Sequence, residues 1–270
     1  MLLRIDHLVI AVRDPDAAAS ELEAAAGIAW SGAGRHESMG TFNRLAFLGD
    51  SYLELIGVFD PDRVASNPGF GVGEAALAML SAGREGFATY ALATDDIDAE
   101  VARLRTSGSR IGRPVAGARS RPDGEVVRWT TAFPALGPEG APFLIEHVLE
   151  GSEWGEVARS ARAAFRHPVG GPLRLAGIDL PVADPAGATA SQARDVGLLF
   201  DETSVAQVGG QHVRLREADG EPPIVDIVAE SGAPVLDVVL FGVRWRRRPV
   251  ATGPRSERSN NPSPTGHRRS

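Results

Sequence analysis

Three side chains stand where an apolar strand does not ordinarily tolerate them. His7 interrupts the run Ile5 to Val12, Glu54 interrupts "SYLELIGV" (Ser51 to Val58), and Glu146 interrupts "PFLIEHV" (Pro142 to Val148). Alternation along a strand puts His7 on the face of Ile5, Val9 and Ala11, and Glu54 on the face of Tyr52 and Ile56. Glu146 shares its face with Leu144 and Val148, while His147 turns the other way with Phe143 and Ile145. A strand covered on both sides has room for an imidazole only if the ring hydrogen-bonds, titrates or holds a metal. Two carboxylates in one cavity repel each other unless a proton or a cation lies between them. One His with two carboxylates suits Zn, Ni, Mn or Fe(II), and three protein ligands leave positions open for water or substrate. The plainer alternative is three unrelated edge or surface residues. The recurrence of the intrusion at matching points of a repeat favours a shared site.

The strands that carry these residues belong to that repeat. Ile5 to Val12 is β-branched or aliphatic, and Asp14-Pro15-Asp16 then ends the strand and starts a helix with an acidic first turn. Ala17 to Ala26 has high helix propensity, and Gly27 stands where a left-handed cap is favoured. Thr41 to Leu48 and Ser51 to Val58 follow as strands around the hairpin turn Gly49-Asp50. The same grammar returns with a strand from Phe87 to Thr94, a helix start at Asp95-Asp96, and a helix from Ile97 to Thr106. A turn at Arg121 to Glu125 and strands at Gly124 to Phe133 and Pro142 to Leu149 complete the second copy. A fainter third copy opens at "LRLAGIDLPVADP" (Leu173 to Pro185), whose Asp184-Pro185 matches Asp14-Pro15, and continues through strands near Gln211 to Arg216 and Ile224 to Ala229.

Repetition of one supersecondary unit predicts an α+β fold of paired βαβββ modules, each hiding its apolar face on another. The implied organisation is a two-module domain at 1–150, a connector at 151–172, a third βαβββ-like module at 173–248 and a disordered basic tail at 249–270. The third module must hide its own apolar face, which is expected to happen within the chain, with a homodimer as the alternative.

Composition narrows the chemistry. The 270 residues carry a formal charge of −7, which argues against a nucleic-acid partner. There is no cysteine, so a thiol nucleophile and a cysteine-held zinc are excluded, and a metal site must use His, Asp or Glu. The first apolar run breaks at Asp6 and His7, too short for a signal segment or a membrane span, and the protein reads as cytoplasmic. The stretch Gly69 to Leu80 lacks the preceding strand and the spacing of a dinucleotide-binding loop. A small-molecule substrate is the expected partner.

Over Ile5 to His147 the blocks "IDHLVIAVRDPDAA", "GTFNRLAFLGDSYLELIG" and "RPDGEVVRW…PFLIEH" resemble the vicinal oxygen chelate superfamily, and within it the glyoxalase-like proteins. The resemblance implies an open barrel-like cleft with metal ligands on the first and last strands of the modules, here His7, Glu54 and Glu146. It implies a divalent metal (Zn, Ni, Mn or Fe(II)) assisting a lyase, isomerase or epimerase that acts on a small oxygenated substrate, with Glu54 or Glu146 as general base. Asn43, Arg128 and His36 are expected to face the same cleft as substrate contacts. The position matching His7 in the second copy is Thr89 in one register and Ala88 in the other, so the fourth ligand of many members is absent. That departure favours an alternative of another class, a metal-free protein that binds or sequesters a small molecule in the cleft.

Overall fold

The structure, a computed structural model, describes residues 1–31, 33–67, 71–120, 124–134, 141–149, 153–229 and 232–250. The tail from 251 onwards, most of the turn Arg121 to Glu125 and the start of the stretch Gly69 to Leu80 lie outside the described residues.

Two modules build one sheet. The first runs β1 (Leu2–Ala11), α1 (Pro15–Ala26), β2 (Ala33–His36), β3 (Thr41–Leu48) and β4 (Ser51–Val58). After α2 (Pro61–Ala65) and α3 (Gly71–Ser81), the second runs β5 (Gly86–Thr94), α4 (Ile97–Thr106), β6 (Val115–Ser120), β7 (Val126–Ala132) and β8 (Phe143–His147). The eight strands lie in the order β2-β3-β4-β1-β5-β8-β7-β6. Strand β1 pairs in parallel with β4, as β5 does with β8, and an antiparallel β1–β5 pair joins the modules. The outer strands β2 and β6 touch, so the sheet curls around a barrel-like cleft.

The helices start where the acidic signals stand. Asp14 caps α1 by accepting from the backbone N–H groups of Asp16 and Ala17, and Asp96 caps α4 by accepting from Ala99. Gly27 closes α1 with φ 64°, a left-handed conformation that a side chain would penalise.

The remaining strands form a second sheet. After α5 (Glu156–Ala163) come β9 (Leu173–Val182), α6 (Pro185–Val196), β10 (Val205–Val208), β11 (Gln211–Glu217), β12 (Ile224–Ala229), β13 (Leu236–Leu240) and β14 (Val243–Pro249). Their order is β10-β11-β9-β12-β14-β13, with β9 parallel to β11, antiparallel to β12, and β12 parallel to β14. This is the pairing of β1, β4, β5 and β8 over again. The third copy is present, and β12 opens a further, helix-free unit beside it.

The apolar face of the second sheet is covered within the chain. Leu8, Ile10, Leu53 and Leu55 share one core with Ile178, Leu180, Val213, Leu215 and Trp245. Each such side chain contributes about 1.5–3 kcal/mol on burial. Polar links cross that core: Tyr90 OH donates to Gln192 Oε1 at 2.7 Å, and Gln211 Nε2 donates to Ser51 Oγ at 2.8 Å. On the other face of the first sheet, Val9, Ala11, Ile56, Ala88 and Ala91 pack against Val72, Ala76 and Met79 of α3. Helix α3 therefore fills one end of the cleft and leaves the other for polar side chains. Among the described residues, no helix is long and apolar enough to cross a membrane.

Candidate active site

The position of the reactive groups begins with a defect in the pairing of β1. Between Ile5 and His7 the register with β5 slips by one, because Ile5 pairs with Leu92 and His7 with Ala91. Ile5 and Leu8 both enter the inter-sheet core, and the two residues between them, Asp6 and His7, are left for the cleft. This is a β-bulge, which re-aims side chains that strict alternation would separate. The Ile5 backbone is satisfied sideways: its N–H donates to Gln211 Oε1 at 2.8 Å, and its carbonyl accepts from Ser51 Oγ at 2.6 Å. The expected sharing of a face between His7 and Ile5 is therefore corrected.

Strand β5 repeats the defect. Its register with β1 slips between Val9 and Ile10, with Phe87 and Tyr90 in the core and Ala88 and Thr89 between them. Thr89 and Ala88 are thus the counterparts of His7 and Asp6. Neither supplies a ligand: the Thr89 hydroxyl donates to the Ala141 carbonyl at 2.7 Å, and Ala88 packs with the α3 cluster.

Asp6 is fully buried, and one of its oxygens serves two rings. Oδ1 lies 2.9 Å from His7 Nδ1 and 2.9 Å from His147 Nε2, and Oδ2 accepts from Arg4 at 3.3 Å. Burial alone would raise the Asp6 carboxyl. The charge and hydrogen bond of His147, with those of His7, outweigh burial and hold it well below the usual carboxylate range. An ionised carboxylate only accepts, so His7 carries its proton on Nδ1 and presents Nε2 to Glu54 Oε2, 3.7 Å away. Tyr52 stacks on the His7 ring at 4.4 Å, and burial pushes its phenol well above the usual value. Asn43 Nδ2 donates to Glu54 Oε1 at 2.6 Å, fixing one oxygen of a carboxylate that is 7% exposed.

His7, Asn43, Glu54 and His147 line a cavity of about 60 Å³, walled by Tyr52, Trp129, Trp154 and Phe143, with Asp6 behind the two rings. His36 lines it too, with Nδ1 2.9 Å from Thr41 Oγ1. Burial pushes the His36 imidazole down, Glu54 opposes that, and Arg119 adds to it. Arg119 also lines the cavity, paired with Glu153 at 2.5 Å. A larger groove of about 910 Å³ runs between the start of β5 and α6, lined by Phe87, Leu180, Ala188 and Gln192, and contains none of these groups.

The structure thus brings together His7, Glu54, Asn43 and His36 and separates two other expected residues. Glu146 Oε2 accepts from the Ile97 backbone N–H at 2.8 Å, capping α4 on the far face of the sheet. The alternation read from the sequence is right, but the face of Phe143, Ile145 and His147 is the one that lines the cleft. Arg128 is exposed, and its neighbours Val127 and Trp129 face the cavity instead. Asp6, His147, Arg119 and Trp154 are site residues that the sequence did not single out.

The geometry bears directly on the expected metal set. His7 and Glu54 are two ligands, and among the described residues no third His, Asp or Glu, His36 and His147 of the same cavity included, converges with them as a catalytic divalent centre typically requires. With Glu146 on the other face, the expected three-ligand set does not form at this cleft.

Among the described residues, a His/Asp/Asp group that could hold an ion lies in the second sheet instead, at Asp179, His212 and Asp226. His212 Nε2 is 3.2 Å from Asp179 Oδ1 and 3.4 Å from Asp226 Oδ2, and Arg214 pairs with Asp179 at 3.1 Å. The hydrogen bonds to Asp179 and Asp226 push the His212 imidazole up to about 9. At neutral pH it is an imidazolium clamped between acids, and an ion would have to displace its proton. Gly177 pairs with His212 and Asp226 as His7 pairs with Tyr52 and Ala91, so the cluster occupies the matching place in the second sheet.

A curled sheet of two βαβββ modules, with polar side chains of β1, β3, β4 and β8 gathered in its cleft, defines a protein of the glyoxalase type. Residues 5–196 match the glyoxalase-like domain model, and the chain belongs to that family, within the vicinal oxygen chelate superfamily. A crystal structure of a hypothetical protein from Staphylococcus aureus is similar over 91% of this chain and 99% of that chain, at 16% identity and a TM-score of 0.73. A variant of Streptomyces coelicolor methylmalonyl-CoA epimerase in complex with 2-nitronate-propionyl-CoA is 26% identical, covering 54% of this chain and 98% of that chain with a TM-score of 0.41. Methylmalonyl-CoA epimerase from Mycobacterium tuberculosis is 21% identical, covering 54% and 89%, with a TM-score of 0.42. No curated protein matches the sequence.

Proposed function

We propose that the protein is a proton-transfer enzyme of the lyase or isomerase class, epimerases included, acting on a small oxygenated substrate in the first-sheet cleft. The observation that carries this reading is the 3.7 Å approach of His7 Nε2 to Glu54 Oε2 in one cavity. Glu54 is the general base for a C–H beside a carbonyl, and Asn43 holds its Oε1 so that Oε2 faces the reaction. The C–H electron pair moves onto the carbonyl oxygen and the proton onto Glu54, within reach of the His7 Nε2 lone pair. Reprotonation of the enolate from its opposite face, by water there while Glu54 keeps the abstracted proton, gives the epimer, and delivery of the Glu54 proton to a neighbouring atom gives an isomer.

The cavity sets the size of the reacting part. One water-sized group needs about 10–15 Å³ of such space, so about 60 Å³ holds the reacting end of a small molecule rather than an extended ligand. No step passes through a metal, since two ligands do not make the centre.

The reading is tested by ¹H NMR in D₂O on a panel of small 2-hydroxy and 2-oxo acids and thioesters. The wild type is expected to wash out one substrate's α-hydrogen, and Glu54→Gln to slow that washout by about 10²-fold or more. Equal washout by the two proteins would remove Glu54 from the chemistry.

One feature favours a second reading, a metal-free protein that sequesters a cationic or apolar molecule. Tyr52, Trp129 and Trp154 wall a cavity that also holds Glu54, an arrangement suited to cation–π contact. Tight ligand quenching of tryptophan fluorescence with no α-hydrogen exchange on any candidate would select it.

A further inference from the structure

We infer that His147 is a second catalytic residue, whose Nδ1 binds the oxygen substituent beside the reacting carbon, and that Asp6 is the positioning residue that sets it there. The inference rests on the proton-transfer reading above and extends it to the substrate's oxygen.

Three observations converge on the ring. First, its Nε2 is committed, bonded at 2.9 Å to the fully buried Asp6 carboxylate. Second, Nδ1 is buried and has no hydrogen-bond partner among the described residues. A buried ring nitrogen left unpaired is costly, and such atoms in native structures call for a ligand or an ordered water. Third, His147 lines the same cavity as His7 and Glu54, so the molecule that satisfies Nδ1 is the one whose proton moves. The ring has little freedom to turn elsewhere, because Trp154 stacks on it at 3.8 Å with an interplanar angle of 20°.

Asp6 gives the arrangement its geometry. Its Oδ1 is shared by His7 Nδ1 and His147 Nε2, so one atom orients one ring from each module. His7 then presents Nε2 beside Glu54, and the His147 ring, whose Nδ1 is buried and unpaired among the described residues, lines the same cavity. A substrate with an oxygen next to its labile C–H places the carbon by Glu54 and the oxygen by His147. Because the ring's N–H is committed to Asp6 through Nε2, Nδ1 offers a lone pair and accepts from the hydroxyl on the reacting carbon, while the C–H electron pair passes to the adjacent carboxyl oxygen. The predicted class is small α-oxygenated acids or their derivatives.

The test uses glycolate, a five-heavy-atom probe, titrated into full-length protein labelled with ¹⁵N-histidine. Signals are assigned with His147→Gln, His147→Asn and His7→Gln. Glutamine keeps a group near Nε2 for Asp6 and removes the one near Nδ1, and asparagine does the reverse. The inference expects the His147 Nδ1 resonance to move on titration, binding to weaken at least tenfold in His147→Gln, and binding to be partly retained in His147→Asn. If glycolate moves the His7 signals but not those of His147, and His147→Gln binds it equally well, the inference is overturned while the His7–Glu54 reading stands. If no histidine signal moves, both fall. The wild-type titration remains decisive even if a variant fails to fold.

Discussion

The Asp6 carboxylate and the His147 imidazole, 141 residues apart in the chain, meet at 2.9 Å between Oδ1 and Nε2. The bond ties the first strand of one module to the last strand of the next, beside the cavity that His147 lines. Because the same oxygen also holds His7, the site is assembled across the β1–β5 seam, and its geometry depends on both modules being docked.

Asp6→Asn is expected to destabilise the fold by about 3 kcal/mol in urea melts at neutral pH, because it removes the charge of a buried network and puts an amide donor where the carboxylate accepts from Arg4. Loss of less than about 0.5 kcal/mol, the usual scale for surface changes, would show that the network is not a structural element.

Acid should weaken the protein through the same group. The folded Asp6 carboxyl lies well below its ordinary value of 3.8, so its contribution is whole above that pH. Below it the unfolded chain binds a proton that the folded chain refuses, and stability falls as pH drops towards the folded value. Melting temperatures between pH 5 and pH 2 should decline more steeply in the wild type than in Asp6→Asn.

Alkali should act at the second sheet. His212 is raised from 6.5 to about 9 by Asp179 and Asp226, so its contribution is complete below pH 6.5 and is lost as pH rises through about 9. After allowance for solvent screening, the loss is about 1–2 kcal/mol. His212→Gln should abolish that slope. Gly177→Ala should weaken the sheet by about 1–3 kcal/mol through overpacking, since a Cβ there would clash with the His212 backbone carbonyl and ring.

Glu146→Gln separates capping from chemistry. Its carboxylate accepts the Ile97 N–H on the far face of the sheet, and loss of such a cap costs about 1 kcal/mol. α-Hydrogen exchange by this variant should equal that of the wild type, measured under conditions where both are folded. A large loss of exchange would return Glu146 to the site.

Much of this was legible in the sequence because it is local. The Asp-Pro helix starts at Asp14 and Asp184, the hairpin at Gly49-Asp50 and the inward Glu54 all follow from residue type and spacing. The bulges were not legible, because a register slip at Asp6 belongs to the pairing of β1 with β5 and leaves no mark on either strand alone. For the same reason the sequence could not choose between Ala88 and Thr89, which share one face. Alternation separated Glu146 from His147 correctly, yet which face meets the cleft is decided by the curl of the sheet. Arg119 and Trp154 enter from an edge strand and the segment after β8, whose path no periodicity announces.

The most direct measurement is the rate at which wild type and Glu54→Gln exchange the α-hydrogen of a bound α-oxygenated acid with D₂O, after exhaustive chelation of both. The account predicts exchange by the chelated wild type and its near-complete loss in the variant. Exchange that vanishes on chelation and returns only with added divalent metal would contradict it.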